Sequence, residues 1–214
     1  MAFANRGFAQ RAKKMTSQSV LLKTRLRQEL RARIGNLTEG QRASASARAC
    51  ALLAAQPIWN TAQSVLFYAA LRDELDLSAL LARALECRKT VALPGFVSET
   101  GAYDAFQITD PGRDCARGKF GIAEPSANCP TFPLNRLDLV LAPGVGFDSA
   151  GHRLGRGGGY YDRLLARVSG VKCGVAFDEQ LVHQIPAEPH DIQMNFLLTP
   201  TRWRQTDGGA PVLK

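Results

Sequence analysis

The chain has 214 residues, 45% of them hydrophobic, which suits one globular domain or two small ones around a substantial core. No stretch approaches the ~18–20 uninterrupted apolar residues of a membrane span, so no membrane role is expected. The formal charge of +8 points to an anionic partner, but aromatics make up only 7% and do not interleave with the basic runs, so nucleic acid is not the expected one.

Residues 1–16 (MAFANRGFAQRAKKMT) are basic and lack the continuous apolar core of a secretory signal. A flexible basic tail is expected there, with an organelle transit segment as the alternative. Leu22, Leu26, Leu30 and Ile34 recur every four residues and predict a first helix over 17–35, ended by Gly35-Asn36. Thr38 and Gln41 form a capping-box pattern for a second helix running to Pro57. Ser64–Ala69 is a short apolar run rich in strand formers. Asp76 is placed to cap a third helix whose Leu77, Leu80, Leu81, Ala84 and Leu85 face inward. Lys89–Leu93 reads as a strand stopped by Pro94-Gly95, and Tyr103–Ile108 as another. From Thr109 to Arg136 four prolines (111, 125, 130, 133) break the pattern, and a loop of that length is expected to carry function or close over a site.

Leu137–Ala142 reads as a buried strand ended by Pro143-Gly144. A glycine-rich loop and helix follow, then a strand over 172–177, a short helix after Asp178 and a last strand near 195–199. Apolar strands alternating with amphipathic helices predict an α/β domain with a largely parallel sheet. The expected division is a tail over 1–16, one domain over 17–205 and a C-terminal tail over 206–214. The cysteines at 50, 87, 115, 129 and 173 are odd in number and form no C-x-x-C pair. His152, His183 and His190 show no zinc spacing with them, so reduced thiols in a cytoplasmic protein are expected.

The loop Gly155-Arg-Gly-Gly-Gly-Tyr-Tyr-Asp162 holds four glycines in five positions and opens onto a helix marked by Tyr161, Leu164, Leu165 and Val168. Glycines let the backbone approach a ligand closely, and a helix start offers N–H groups to phosphate. Arg153, Arg156 and Arg163 add positive charge, and Asp162 is a candidate metal ligand, so a nucleotide phosphate with Mg2+ is the first expectation. The loop is neither a P-loop, for want of Gly-Lys-Ser/Thr, nor a dinucleotide fingerprint, since Tyr160 stands where the third glycine belongs. A tight turn with solvated arginines is the plain alternative. Ligands of parallel sheets bind beyond the carboxyl ends of the strands, where this loop, Leu71–Asp76 and the segment from Asp178 all fall.

Pro143-Gly-Val-Gly-Phe-Asp148 followed by Gly151-His-Arg-Leu-Gly-Arg-Gly-Gly-Gly-Tyr-Tyr-Asp162 resembles the signature of the 5-formyltetrahydrofolate cyclo-ligase family, also called 5,10-methenyltetrahydrofolate synthetases. Supporting matches run from Lys23-x-x-x-Arg27 through Arg72-Asp-Glu74 and Gly121-Ile-x-Glu-Pro125 to Pro186–Asp191. The resemblance implies a single α/β domain, a Rossmann-like three-layer sandwich. It also implies Mg-ATP-dependent conversion of 5-formyltetrahydrofolate to 5,10-methenyltetrahydrofolate, with release of ADP and phosphate. In the family's route the γ-phosphoryl group passes to the formyl oxygen, N10 attacks the activated carbon, and phosphate leaves as the ring closes. Such a transfer needs positioning and charge neutralisation more than a protein nucleophile.

Carried over residue by residue, the resemblance makes Lys23, Arg27 and Arg156 the catalytic set. Lys23 and Arg27, four apart on one helix face, bind ATP with Arg153, Leu154, Gly155, Arg156, Gly157, Gly158, Gly159, Tyr160 and Tyr161. Glu74, Phe120, Arg156 and Tyr160 are the expected folate contacts, and Asp162 and Asp191 the expected Mg2+ ligands. Gly158 stands where some members carry lysine, and Asn195 where many have an acid. A monomer acting on small molecules is expected. The alternatives are an enzyme resembling sugar-phosphate isomerases or acyl transferases, which leaves Arg27, Arg156 and Asp162 unexplained, and a nucleotide- or folate-binding protein without turnover.

Overall fold

The computed structural model describes residues 2–118, 123–188 and 191–209, with side chains from residue 18 onward. Helix α1 spans Ala2–Gly35, so it begins well ahead of residue 17, where the leucine stripe starts. Residues 8–16 hold Ala, Arg, Lys, Gln and Met and no proline, all good helix formers, so propensity carries the helix past the stripe. The stripe itself fades. Leu30 and Ile34 are buried, whereas Leu22 is 49% exposed. Helix α2 (Glu39–Ala54) carries the expected box, with Thr38 and Gln41 bonding each other's backbone N–H. A short α3 (Pro57–Thr61), not anticipated, uses Pro57 in its first turn and buries Trp59.

Strand β1 (Ser64–Leu66) leads through a loop to α4 (Ser78–Glu86). The helix-capping position belongs to Leu77, not Asp76, although Asp76 Oδ1 still accepts from Ser78 N at 2.8 Å. Strand β2 (Thr90–Val97) runs straight through Pro94-Gly95. Its pairing with β1 ends at Ala92, and beyond that point only β3 (Ala102–Ile108) lies alongside. A proline without an N–H is tolerated on such a one-sided strand. The 109–136 segment contains α5 (Pro111–Asp114), β4 (Cys115–Arg117), β5 (Ala123–Pro125) and β6 (Thr131–Phe132). After β7 (Leu139–Pro143) come the hairpin β8 (Gly146–Phe147) and β9 (Arg153–Leu154), then α6 (Tyr160–Leu165), β10 (Val171–Val175), β11 (Phe196–Leu198) and β12 (Trp203–Gln205). Neither the β8–β9 hairpin nor β12 was legible from periodicity, because two- and three-residue strands give it too few positions.

The central sheet has eight strands in the order β12-β11-β10-β7-β1-β2-β3-β6. The five from β11 to β2 are parallel, and the outer ones antiparallel. Helices cover both faces, which makes one α/β domain with a mostly parallel sheet. Strand β7 shows how. Leu139 and Leu141 join Leu53, Trp59, Leu80 and Ala84 of α2, α3 and α4 on one face. Val140 and Ala142 join Leu164, Leu165 and Val168 on the other. The period-2 alternation of side chains gives a strand wet on neither face, hence its unbroken apolar run.

The chain leaves β1 toward β2 on one side, and leaves β7 toward β10 on the other. The loops after β1 and β7 therefore diverge, opening a crevice at the carboxyl ends of these neighbouring strands. Helix α1 closes that end, its Leu30 packed with Val145, Leu154 and Ile185. Burying one leucine this fully is worth about 2 kcal/mol.

Candidate active site

Four segments far apart in sequence meet at the crevice: α1, the loop after β1, the 153–162 glycine loop, and residues 185–188 with 191–193. Arg27 Nε donates to the Gly155 carbonyl at 2.8 Å across 128 positions of sequence. Burial, and after it the charge of Arg31, pulls the Arg27 guanidinium below the usual arginine range. One turn earlier, Lys23 Nζ lies 3.0 Å from Asp191 Oδ2 and 3.6 Å from Glu188 Oε1. The i,i+4 spacing thus aims both cations at one end of the crevice, as α-helical geometry requires.

The glycine loop is built on unusual backbone. Gly157 has φ 109° and Gly159, which starts α6, has φ 64°, conformations that residues with a Cβ rarely hold. Among the described residues, no protein acceptor meets the N–H groups of Gly157, Gly158 or Gly159. The helix they open onto has only six residues, so these amides rather than a long dipole are what the loop offers an anion. Gly158 is favoured for a different reason, the place the Tyr160 ring takes here. A Cβ there would lie 2.7 Å from the Tyr160 ring.

Arg156 reaches across to the loop after β1, its Nη2 2.6 Å from Asp73 Oδ1 and 2.9 Å from Glu74 Oε1. Glu74 is almost wholly buried, its side chain 7% exposed. Its other oxygen accepts from Leu71 N at 3.0 Å. Burial raises the Glu74 carboxyl above its usual range, and the Leu71 amide and Arg156 oppose that rise without cancelling it. Tyr161, against Glu74, is pushed well above the usual phenol range by burial and stays protonated.

Arg153 sits under the loop rather than in the opening. It is 8% exposed, with Nη2 2.6 Å from Asp162 Oδ1, its guanidinium 5.5 Å from the Tyr161 ring centre, and its buried Nε without a partner. Tyr160 lies over the outer strands, edge-on to Phe96 and Tyr103 at 5.9 and 5.4 Å, with the Arg163 guanidinium 4.9 Å from its ring centre. Leu154 is buried against α1. Phe120 lies outside the described residues.

Several participants carried no role in the sequence reading. Asp73 and Glu188 share the cations of the site, and the first was visible only as the middle of Arg72-Asp-Glu74. Asp148, 2% exposed, accepts from His152 N at 2.9 Å, His152 Nδ1 at 3.0 Å and Ile185 N at 2.9 Å. With Nδ1–H so used, His152 Nε2 accepts from Gln193 Nε2 at 3.0 Å. That chain ties the β8–β9 hairpin to the loop carrying Asp191. Asn195 Oδ1 accepts from Lys172 N at 2.8 Å, so its carbonyl serves the β10–β11 pairing.

No group of three or more His, Cys, Asp or Glu among the described residues is arranged to hold a metal. Mg2+ takes only one or two protein carboxylates and completes its octahedron with water and phosphate oxygens. Asp162 Oδ2 is available for this beside the Arg153 pair.

Residues 20–200 match the 5-formyltetrahydrofolate cyclo-ligase family. The 5-formyltetrahydrofolate cyclo-ligase of Escherichia coli is 32% identical over 177 residues, covering 81% of this chain and 97% of the relative. The mouse enzyme of the same name is 27% identical over 184 residues, covering 81% and 91%. The solution structure of Aquifex aeolicus 5,10-methenyltetrahydrofolate synthetase superposes with a TM-score of 0.78 at 34% identity, covering 90% of this chain and 97% of that one.

Proposed function

The chain belongs to the 5-formyltetrahydrofolate cyclo-ligase family, and on that premise we propose how its residues carry the reaction, which is the cyclisation of 5-formyltetrahydrofolate to 5,10-methenyltetrahydrofolate. ATP is the co-substrate. Its phosphates lie against the Gly157–Gly159 amides, with Lys23 and Arg27 on the α1 side. The γ-phosphoryl group passes to the formyl oxygen, turning a poor leaving group into phosphate. N10 then attacks the activated carbon, and phosphate departs as the ring closes. The protein's work is positioning and neutralisation of charge.

The observation that carries this reading is the meeting of Arg156 with Glu74 across the crevice. It joins the glycine loop that faces the nucleotide to the carboxylate that faces the folate. A buried carboxylate suits the donor edge of a pterin, which presents amide-like N–H groups. Arg156 turns from Asp73 and Glu74 toward the transferring phosphoryl group, where negative charge accumulates. Arg153 holds Asp162 in place and supports the loop from below. Tyr160 borders the folate side with Phe96 and Tyr103.

Mg2+ would be held by Asp162 and Asp191, which requires Asp191 to exchange its Lys23 partner for the metal. Bound there, the ion would neutralise charge on the phosphates. A single assay tests the whole reading. Purified protein with Mg2+, ATP and 5-formyltetrahydrofolate should develop the near-ultraviolet chromophore of the methenyl product. The reading fails if that absorbance grows equally without ATP, or not at all.

No helix among the described residues is long and apolar enough to cross a membrane. We further propose a monomer that works in the cytoplasm, consistent with a site completed within one chain.

A further inference from the structure

Residues 206–209 follow β12 and lie past the 20–200 match to the family. Thr206 is 5% exposed, and Gly209 is buried. Three stretches of backbone meet there: the turn of the β8–β9 hairpin at 149–151, the approach to β11 at 193–195, and 206–209. Thr206 Oγ1 donates to the Met194 carbonyl at 2.5 Å, and Thr206 N to the Asn195 carbonyl at 3.0 Å. Asp207 N donates to the Ser149 carbonyl at 3.1 Å, and Met194 N to the Gly151 carbonyl at 2.8 Å. Glycine lets the stretches close on each other. A Cβ on Gly209 would lie 2.7 Å from the Met194 carbonyl oxygen, and one on Gly208 2.8 Å from that of Ala150.

This junction grips the end of the segment that carries Asp191. Only Ile192 and Gln193 separate Asp191 from Met194. Asp191 Oδ2 accepts from Glu188 N at 2.9 Å, and Asp191 N donates to the Glu188 carbonyl at 3.0 Å. The two residues thus form a turn closed on itself, with both carboxylates beside Lys23. Such a turn is aimed by what holds its ends. Upstream, Ile185 N donates to Asp148 Oδ2 at 2.9 Å, which rests that end on the hairpin. Downstream, Gly151 takes the Met194 amide and Thr206 serves its carbonyl. We propose that Thr206 is a positioning residue for Asp191, fixing from behind how that carboxylate faces the crevice. The inference rests on the reading above, in which Asp191 leaves Lys23 to hold Mg2+.

A role in stability alone is the rival account. Thr206→Val keeps the shape of the side chain and removes its hydroxyl, leaving the buried Met194 carbonyl without that donor. Some loss of stability follows under either account. Only under the positioning account does the loss fall selectively on the metal. Removing the groups that orient a metal ligand costs about 10–100-fold in metal affinity. Thr206 acts through the intervening backbone, so the lower end of that range is expected.

The test uses the full chain as T206V, T206S and D191N, each assayed below its melting temperature. Rates are followed against free Mg2+ at saturating ATP and 5-formyltetrahydrofolate. In T206V the half-saturating Mg2+ should rise about tenfold, with KM for the folate unchanged. T206S keeps the hydroxyl and should return to the wild-type value. Hydrogen exchange, read by mass spectrometry on protein free of metal and nucleotide, should quicken across 191–195 in T206V and stay unchanged across β7. If T206V does not fold, Gly208→Ala carries the test, since it presses on the Ala150 carbonyl in the same junction. Wild-type Mg2+ dependence in the junction variant would overturn the proposal, whatever its melting temperature. So would T206S behaving as T206V, or exchange that quickens throughout the molecule. Mg2+ dependence left unchanged by D191N would instead remove Asp191 from the metal site, and the proposal with it.

Discussion

Arg156 and Glu74 are held against each other, and each alone would be in an unfavourable place. A guanidinium poised for a phosphoryl group is worth most when it strengthens its grip as charge develops, so its removal falls on the chemical step. Arg156→Ala should lower kcat about 100-fold or more, the usual cost of deleting one such donor. Its own side chain is 37% exposed, but its loss leaves the buried Glu74 carboxylate with only the Leu71 amide. The melting temperature should therefore fall at neutral pH and recover as acid protonates Glu74. Turnover at the wild-type rate in that variant would remove Arg156 from the mechanism.

Glu74 yields a prediction of opposite sign for stability. Its folded-state carboxyl is raised above 4.5, chiefly by burial. The folded protein therefore holds that proton more tightly than the unfolded chain does. The stability this contributes is fully present below 4.5 and is lost as pH rises through the raised value. Glu74→Gln removes the loss. The variant should gain thermal stability over wild type at pH 7, with the gap narrowing toward pH 4, while KM for folate climbs. A gap independent of pH would show that the charge is not what the fold resists. Asp162→Asn strips a buried guanidinium of its carboxylate and should cost on the order of 2–3 kcal/mol in denaturant unfolding, below the fully buried case because Asp162 is 26% exposed. Its Mg2+ requirement must be measured at a temperature where the variant remains folded.

At the scale of elements, what periodicity carries was legible and what depends on neighbours was not. The helix over Glu39–Ala54 was readable because a capping box is a local bargain between Thr38 and Gln41. The parallel strands were readable because burial on both faces writes an unbroken apolar run. Pro94 misled, since whether a proline ends a strand depends on who sits beside it, and β1 stops pairing at Ala92. The glycine loop, Lys23 and Arg27 stood out as residue types in a pattern, whereas Asp73, Asp148 and Glu188 are common acids whose roles come only from the chain's return. Gly170 is a similar case, unremarked in sequence yet sterically fixed. A Cβ there would meet the Leu137 carbonyl at 2.0 Å and that of Asp138 at 2.7 Å. Both contacts are backbone, so no side chain can step aside. Gly170→Ala should push β10 off the start of β7 and cost about 2–3 kcal/mol, read by chemical denaturation. An alanine variant of wild-type stability would mean that the β7–β10 edge gives way more easily than a packed sheet should.

The molecule as a whole assembles its site where α1 runs out from the main core, Ile34 packing under one sheet face and the turns before it reaching over the crevice. Leu30 seats α1 on the β8–β9 hairpin in a small cluster separate from the two that fill the sheet faces. Beside it lie Leu26, packed in the same cluster, and two polar links, Arg27 to Gly155 and Lys23 to Asp191. A ligand gripped by α1 on one side and the glycine loop on the other therefore adds to a junction that the protein itself closes at the crevice with those two polar links. Mg-ATP at 100 times its Kd should add about 2.7 kcal/mol to the folded state. For a chain of this size that corresponds to a rise of roughly 5–10 °C in Tm. Because the contacts are charges near the surface of a protein with net charge +8, the shift should shrink as KCl is raised. It should fall furthest in Arg27→Ala, which breaks the link from α1 to the loop while leaving Leu30 in place. A nucleotide shift of wild-type size in that variant would mean that α1 is a lid over the site and not a wall of it.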